Sequence, residues 1–387
     1  MTSTSCSEIA RDLLERCIRG EAPAKLPPAL LEDKSGQALF GILAEGLADR
    51  FEPTLCEIYA DLFAPVIPGA DPARYRRVRK PRTIAIEPRT VFVLSRVTLG
   101  ADVAVTSVLL DAAKQRFPRA QIIFVGPSKN YELFAADPRI AHAEVAYRRG
   151  SLRQRLAVRR ELESLLAAPD AITIDSDSRL TQLGLLPICP EERYHLFESR
   201  GYGGSADASL PQLAASWAEQ TFGIAGAKPY VVLPNAPAHR EGIAVSFGVG
   251  ENPVKRLPDP FEEQLLARLA ETGAEICIDK GAGGEEAERV LRAAERSGVK
   301  ATFWEGSFAG FAAIIAASRL YVGYDSAGQH VAAATGVPLV SIFAGFPTLR
   351  MFHRWRPTGE RAAVIRVDRP EVASIVARVR EALTALL

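Results

Sequence analysis

A chain of 387 residues is longer than one hydrophobic core can organise, because cores stop growing near ~250–300 residues, so two domains plus an accessory segment are expected. Apolar residues at 48% and charged residues at 24% exclude disordered, collagen-like and polytopic membrane classes. With 47 basic residues against 46 acidic ones the net charge is +1, which gives no global field for a polyanion, so nucleic acid is not an expected partner.

The five cysteines, Cys6, Cys17, Cys56, Cys189 and Cys277, form no C-x-x-C pair and have no histidine at ligand spacing, so neither a zinc site nor a disulfide framework is expected. The first residues lack the basic and apolar regions of a secretory signal, and no stretch approaches the ~18 apolar residues of a membrane span. The expected location is the cytoplasm.

Ile9, Leu13, Leu14, Cys17 and Ile18 recur at helical spacing until Gly20 and Pro23 stop the run, and further helices are expected over 37–47 and 52–65. This helical accessory segment, residues 1–82, closes in a dense basic run from Arg74 to Arg82. The run reads either as a solvated linker that neutralises the acidic helices beside it or as a patch for anionic headgroups or a phosphorylated acceptor at the inner face of a membrane.

From residue 83 the apolar period changes. A strand over 90–94, a helix over 103–117 and a strand over 121–125 read as a βαβ unit with a parallel sheet. A helix over 152–167 and a strand over 171–174 follow. A Gly-, Ser- and Pro-rich stretch over 187–211 then interrupts before a helix over 213–221, which places a first domain at 83–235.

The second domain, 236–369, repeats the alternation. Strands are expected over 242–247, 275–278, 301–304, 320–322 and 339–343, with helices over 260–272, 285–297, 308–317 and 328–335. The last helix, 370–387, is apolar on one face and is expected to dock back on the first domain. The fold class is α/β with two Rossmann-like domains.

Open parallel sheets bind ligands beyond the carboxyl ends of their strands, so the residues that follow each strand carry the information. After 320–322 comes Gly323-Tyr-Asp-Ser-Ala-Gly-Gln-His330. Here Gly323 and Gly328 permit close backbone approach, Ser326 can cap a helix, and Asp325 and His330 can face a ligand, a combination that favours a phosphate or sugar site over a bare capped turn. After 242–247 comes Gly248-Val-Gly250 and then Lys255-Arg256, which can neutralise a diphosphate or form a surface pair.

After 90–94, Asp102 opens a helix as a general base or as a carboxylate favoured by the helix dipole. Asp175-Ser-Asp177 reads more readily as a capped loop than as a divalent-metal site. Gly201-Tyr-Gly-Gly204 and Gly281-Ala-Gly-Gly284 fall short of a dinucleotide fingerprint, although Gly284 and Glu285 can line a nucleotide pocket together with Gly248 and Gly250. His142 and His195 read as structural, and His239 and His353 lie in loops without an assigned role.

The second-half motifs resemble those of glycosyltransferase family 9, the heptosyltransferase family. The run from Tyr321 to Ala344 is similar to the family's strand, Asp-Ser/Thr-Gly-x-x-His, alanine-rich helix, Gly-x-Pro and strand. Lys255-Arg-Leu-Pro258 resembles its Lys-x-x-Pro, and Arg96 to Val103 resembles its N-terminal Gly-Asp loop.

The resemblance implies a GT-B fold, two Rossmann-like domains facing a cleft. It also implies an inverting, metal-independent and cofactor-free transfer of a sugar such as heptose from a nucleotide-diphosphate sugar to a glycan or protein acceptor, in lipopolysaccharide or glycan biosynthesis. By position it makes Asp102 the general base. Lys255 would meet the donor's phosphates or sugar, and Asp325, Ser326, Ala327, Gly328 and His330 would line the donor site. Ala101 separates Gly100 from Asp102 where the family has Gly-Asp, Ala327 replaces a glycine, and Ala344-Gly345 stands for Phe-Gly. A non-catalytic module that binds a sugar nucleotide is the alternative.

Overall fold

A computed structural model describes residues 5–233, 241–250, 252–281 and 283–387. His239, and Glu251 and Ala282 of the two glycine loops, lie outside the described residues. The chain divides into two compact units, the first formed by Met1–Thr98, Val108–Tyr131 and Pro138–Lys228, the second by Leu99–Ser107, Glu132–Asp137 and Pro229–Leu387.

The first unit carries a five-stranded sheet of β1 (Thr90–Leu94), β2 (Gln121–Gly126), β3 (Ile140–Glu144), β4 (Ala171–Asp175) and β5 (Tyr194–Leu196) in the order β3-β2-β1-β4-β5. Every pairing is parallel. Val91, Phe92, Val93 and Leu94 are all buried, as expected of a central parallel strand covered on both faces. The sequence reading lacks β3 and β5. β5 is three residues long inside a Gly- and Pro-rich stretch, and β3 carries His142 and Glu144 where a buried strand would carry Val or Ile.

The N-terminal helices pack into the core of this unit. The helix Cys6–Ile18 starts with a capping box, in which Glu8 N donates to Ser5 Oγ at 3.2 Å and Ser5 N to a Glu8 carboxylate oxygen at 2.7 Å. Pro53–Phe63 and Pro72–Val78 each open on a proline, whose missing N–H costs nothing there. Leu13, Tyr59, Phe63 and Tyr75 join Leu94, Val125 and Leu196 in one apolar cluster.

The basic run is a helix and a set of ties. Arg76 pairs with Glu57 and Asp61 at 2.7 Å, Arg77 with Glu191 at 3.0 Å and Arg79 with Glu198 at 3.0 Å. Arg82 donates to the carbonyls of Glu191 and Tyr194, and Arg74, buried, lies over the Tyr194 ring. The pairs with Glu57 and Asp61 neutralise the acidic helix beside the run as expected, whereas Glu191 and Glu198 come from far along the chain.

The second unit carries β6 (Ile243–Ser246), β7 (Ile276–Asp279), β8 (Ala301–Trp304), β9 (Leu320–Tyr324), β10 (Leu339–Phe343) and β11 (Ala362–Arg366), in the order β11-β10-β9-β6-β7-β8 and all parallel. The C-terminal helix Val372–Leu386 lays its apolar face, Ile375, Val376, Val379 and Leu383, into the core of this unit with Leu265, Leu269 and Ile365. Among the described residues no helix is long and apolar enough to cross a membrane.

Candidate functional site

In the six-stranded sheet the chain runs from β6 outward to β7 and β8, then returns to lay β9 and β10 on the other side of β6. The loops that leave β6 and β9 therefore part in opposite directions, and the opening between them is where such sheets place ligands. Register sets Ser246 on β6, Gly323 on β9 and Ser341 on β10 side by side at this end.

β9 leads through Asp325 and Ser326 into the nine-residue helix Ala327–Thr335. Ser326 is extended and its side chain caps no amide, contrary to its expected role. No side chain at the cap therefore takes the first-turn N–H groups at the positive end of the helix dipole.

Lys255 arrives from the turn Pro253–Lys255, started by Asn252, whose Oδ1 accepts from Val254 N at 3.2 Å. Its Nζ donates to Asp325 Oδ2 at 2.6 Å and to Asp325 O at 3.3 Å. Asp325 is 4% exposed, so the pair is largely shielded from water.

The loop after β10 presses on the same turn. Gly345 has φ 69°, and a Cβ there would lie 2.5 Å from the Val254 carbonyl oxygen and 2.8 Å from Lys255 N. Gly345→Ala is therefore expected to lose roughly 1–3 kcal/mol, read as a lower urea midpoint, because the clash is with backbone that cannot swing away.

His330 is 5% exposed and its ring lies 5.9 Å from that of Trp355. Burial pushes its pKa down to about 4, the Asp325 charge opposing and Lys255 adding to the depression. On β5, His195 is also pushed to about 4, by burial and then by Arg82. Both rings are neutral when folded, while the unfolded chain takes up their protons near pH 6.5. Stability from each is full above pH ~6.5 and is lost as pH falls toward 4, by roughly 3 kcal/mol per ring. His195→Asn, away from the site, is expected to flatten part of the fall in urea midpoint between pH 7 and pH 4.5.

Asp102 follows the short helix Leu99–Ala101 and opens a π-helical turn, Asp102–Thr106, a wide turn often found at functional sites. It is 0% exposed, and Thr106 Oγ1 donates to its Oδ1 at 2.6 Å. This segment lies on the helix of His330: a Cβ on Gly100 would come within 3.1 Å of Ala327 Cα and 3.2 Å of His330 Cδ2. The structure thus brings Asp102 and the Asp325–His330 motif, distant in sequence, into one unit.

Arg256 is engaged elsewhere, pairing with Asp259 and with Glu262 at 3.4 Å. Glu262 also takes Arg289 and the Tyr324 hydroxyl at 3.2 Å, so this cluster anchors the Lys255 loop to the helices Phe261–Ala270 and Gly284–Ser297.

Of the glycine loops, Gly250 and Gly284 have φ of 60° and 56°. Glu285 is exposed, and it is Glu286 whose carboxylate sits by the loop glycines, 3.1 Å from where a Gly248 Cβ would be and 2.7 Å from where a Gly281 Cβ would be. Beside it stands Asp279, whose carboxyl is pushed up by burial and further by Glu286. Sequence reading missed Glu286, although it lies one turn before the buried Val290 and hence on the inner face of its helix.

In the first unit, Asp175 accepts from Ser178 N at 2.6 Å and from the Thr181 and Tyr194 hydroxyls. Asp177 pairs with Arg200 at 3.0 Å and accepts from Ser199 Oγ at 2.8 Å. Asp-x-Asp is a structural loop here, its oxygens already spent. Arg96 joins it, Nη1 donating to Ser176 O and Ser199 Oγ at 2.7 Å. A cavity of about 420 Å³ at the amino ends of β9 and β10, bordered by Ser318, Arg319, Pro338 and Arg361, is at the wrong end of the sheet for these groups.

Residues 192–383 match the model of glycosyltransferase family 9 (heptosyltransferase). Among solved structures, a glycosyl transferase family 9 protein from Veillonella parvula is 14% identical with a TM-score of 0.59, covering 79% of this chain and 98% of its own. The E. coli heptosyltransferase WaaC with ADP-2-deoxy-2-fluoro heptose is 18% identical with a TM-score of 0.55, over 76% of this chain and 99% of its own. The E. coli ADP-heptose lps heptosyltransferase II is 19% identical with a TM-score of 0.55, over 77% and 98%. No curated protein matches the sequence.

Proposed function

The chain is a glycosyltransferase with a family 9 domain over residues 192–383 and a GT-B fold, and from that premise we propose that it moves a sugar, with inversion and without a metal, from a nucleoside-diphosphate sugar to a hydroxyl acceptor. The observation that carries this reading is the buried Lys255–Asp325 pair at the uncapped start of the Ala327–Thr335 helix, with the Asp102 segment lying on that helix.

The acceptor hydroxyl oxygen attacks the anomeric carbon as the bond from that carbon to the diphosphate breaks. Asp102 takes the hydroxyl proton, and the electron pair leaves with the diphosphate. Lys255 and the first-turn amides of Ser326, Ala327 and Gly328 stabilise the charge that develops on the leaving oxygen, which supplies the work a metal would otherwise do. Asp325 meets sugar hydroxyls, and Glu286 with Gly248 borders the nucleoside.

ADP-heptose is the first donor to test, because solved relatives hold ADP and an ADP-heptose analogue. The acceptor is a glycan or a protein. Five free cysteines suit a reducing, cytoplasmic setting. Arg76, Arg77 and Arg79 already pair with carboxylates, which leaves contact with headgroups through Arg74 to Arg82 the weaker reading.

A thermal-shift panel of ADP-, UDP-, GDP- and CDP-sugars tests the reading. One nucleotide class is expected to raise the melting temperature, since a ligand at 100 times its Kd adds about 2.7 kcal/mol. A flat response to all four would contradict it.

A further inference from the structure

Gln329 lies between the two residues that the sequence singles out, and it is fully buried. Its Nε2 donates to Asp325 Oδ1, lies 3.4 Å from the Trp355 carbonyl and 3.3 Å from His330 Nε2, while its Oε1 accepts from Ser341 Oγ. One amide therefore joins the end of β9, the helix of His330, β10 and the helix Leu349–Trp355.

The orientation of that amide follows from its partners. A carboxylate and a peptide carbonyl only accept, so the NH₂ group must face them; the flipped amide would set oxygen against oxygen twice. The NH₂ group has two hydrogens for three neighbours, so His330 Nε2 at 3.3 Å shares one of them; a protonated Nε2 would set donor against donor, which places the ring proton on Nδ1. A buried glutamine is costly unless all its hydrogen bonds are met, and an apolar side chain of similar length would fill the same space. Here every polar atom of the amide is used, and two of its partners are residues of the site.

We propose that Gln329 is a positioning residue: it fixes the Asp325 carboxylate that holds Lys255, and it sets the tautomer of His330 so that Nδ1 is the ring's donor. Asp325 is gripped from both oxygens, Oδ1 by the amide and Oδ2 by the amine, so neither Asp325 nor Lys255 is free to turn when a diphosphate competes for the amine. The functional half rests on the nucleotide-sugar reading of the site, whereas the tautomer is a property of the protein alone.

The test is nitrogen NMR of the full chain with ¹⁵N-labelled histidine near pH 7, combined with calorimetry using ADP, UDP, GDP and CDP as probes. Wild-type His330 is expected to show a protonated Nδ1 and an unprotonated Nε2. In Gln329→Met that Nε2 signal should shift as its donor is lost, and affinity for whichever nucleoside diphosphate binds should fall roughly 10-fold, the effect of one hydrogen bond to a charged group. Ser341→Ala, which frees the far end of the amide, should give a smaller change of the same kind.

A wild-type ring protonated on Nε2 overturns the proposal without any variant being made. So does a His330 signal, or a nucleotide affinity, unchanged in Gln329→Met. If no nucleoside diphosphate binds the wild type, the functional reading of the site fails, and the tautomer result alone decides the role of Gln329.

Discussion

Lys255→Ala is expected to remove about 10- to 100-fold of nucleoside-diphosphate affinity and, separately, to destabilise the protein. The amine lies 2.6 Å from a carboxylate that is 4% exposed, and removing it leaves that charge with the Gln329 amide in place of a counter-ion. Removing one partner of a buried pair costs ~3–5 kcal/mol; the Lys255 side chain is 17% exposed, which places the expectation at the lower end. The loss of affinity corresponds to one charge-assisted contact with phosphate.

The two effects come apart in the double variant. Lys255→Ala with Asp325→Asn should regain most of the stability, because no uncompensated charge is buried, yet should bind nucleotide as poorly as the single variant. Urea denaturation and calorimetry on the three proteins check both halves. If the double variant recovers affinity along with stability, Lys255 acts only as a structural partner.

Asp102→Asn should lower transfer by roughly 10²- to 10⁴-fold, the range for loss of a general base, with nucleotide affinity little changed. Asparagine keeps the shape and can still accept from Thr106 Oγ1, so the π-helical turn has no reason to rearrange. The expected signature is a loss in kcat with KM for the donor near its wild-type value, measured as nucleoside-diphosphate release. Turnover retained in this variant would move the base elsewhere.

Much of the second unit is legible in the sequence because strand and helix periods alternate cleanly there, although β11 and the helix Leu349–Trp355 are not among the expected elements. The helix Phe308–Ala317 and the strands Ala301–Trp304 and Leu339–Phe343 fall where periodicity places them. The first unit is read less well for a physical reason. His195 sits on a three-residue strand in a Gly- and Pro-rich stretch, and the ties of Arg77 and Arg79 to Glu191 and Glu198 join residues far apart in the chain.

The same distinction holds at the site. Asp325, His330 and Lys255 stand out by their place after strands, and the fold brings Asp325 to Lys255. Arg256 looks equivalent to Lys255 in the chain, but Glu262, six residues on, claims it. Gln329 and Glu286 escape because a glutamine or glutamate on a helix is ordinarily solvent-facing. Only the close approach of β10 to Gln329, and of the loop glycines to Glu286, shows otherwise.

Hydrogen–deuterium exchange of the full chain, with and without the nucleotide sugar that the panel selects, tests the placement of the donor most directly. Slowed exchange over 253–257 and 326–330, at the carboxyl ends of β6 and β9, is the predicted result. Protection confined to Ser318, Arg319, Gly336 and Val337, around the cavity at the opposite end of the sheet, would contradict it.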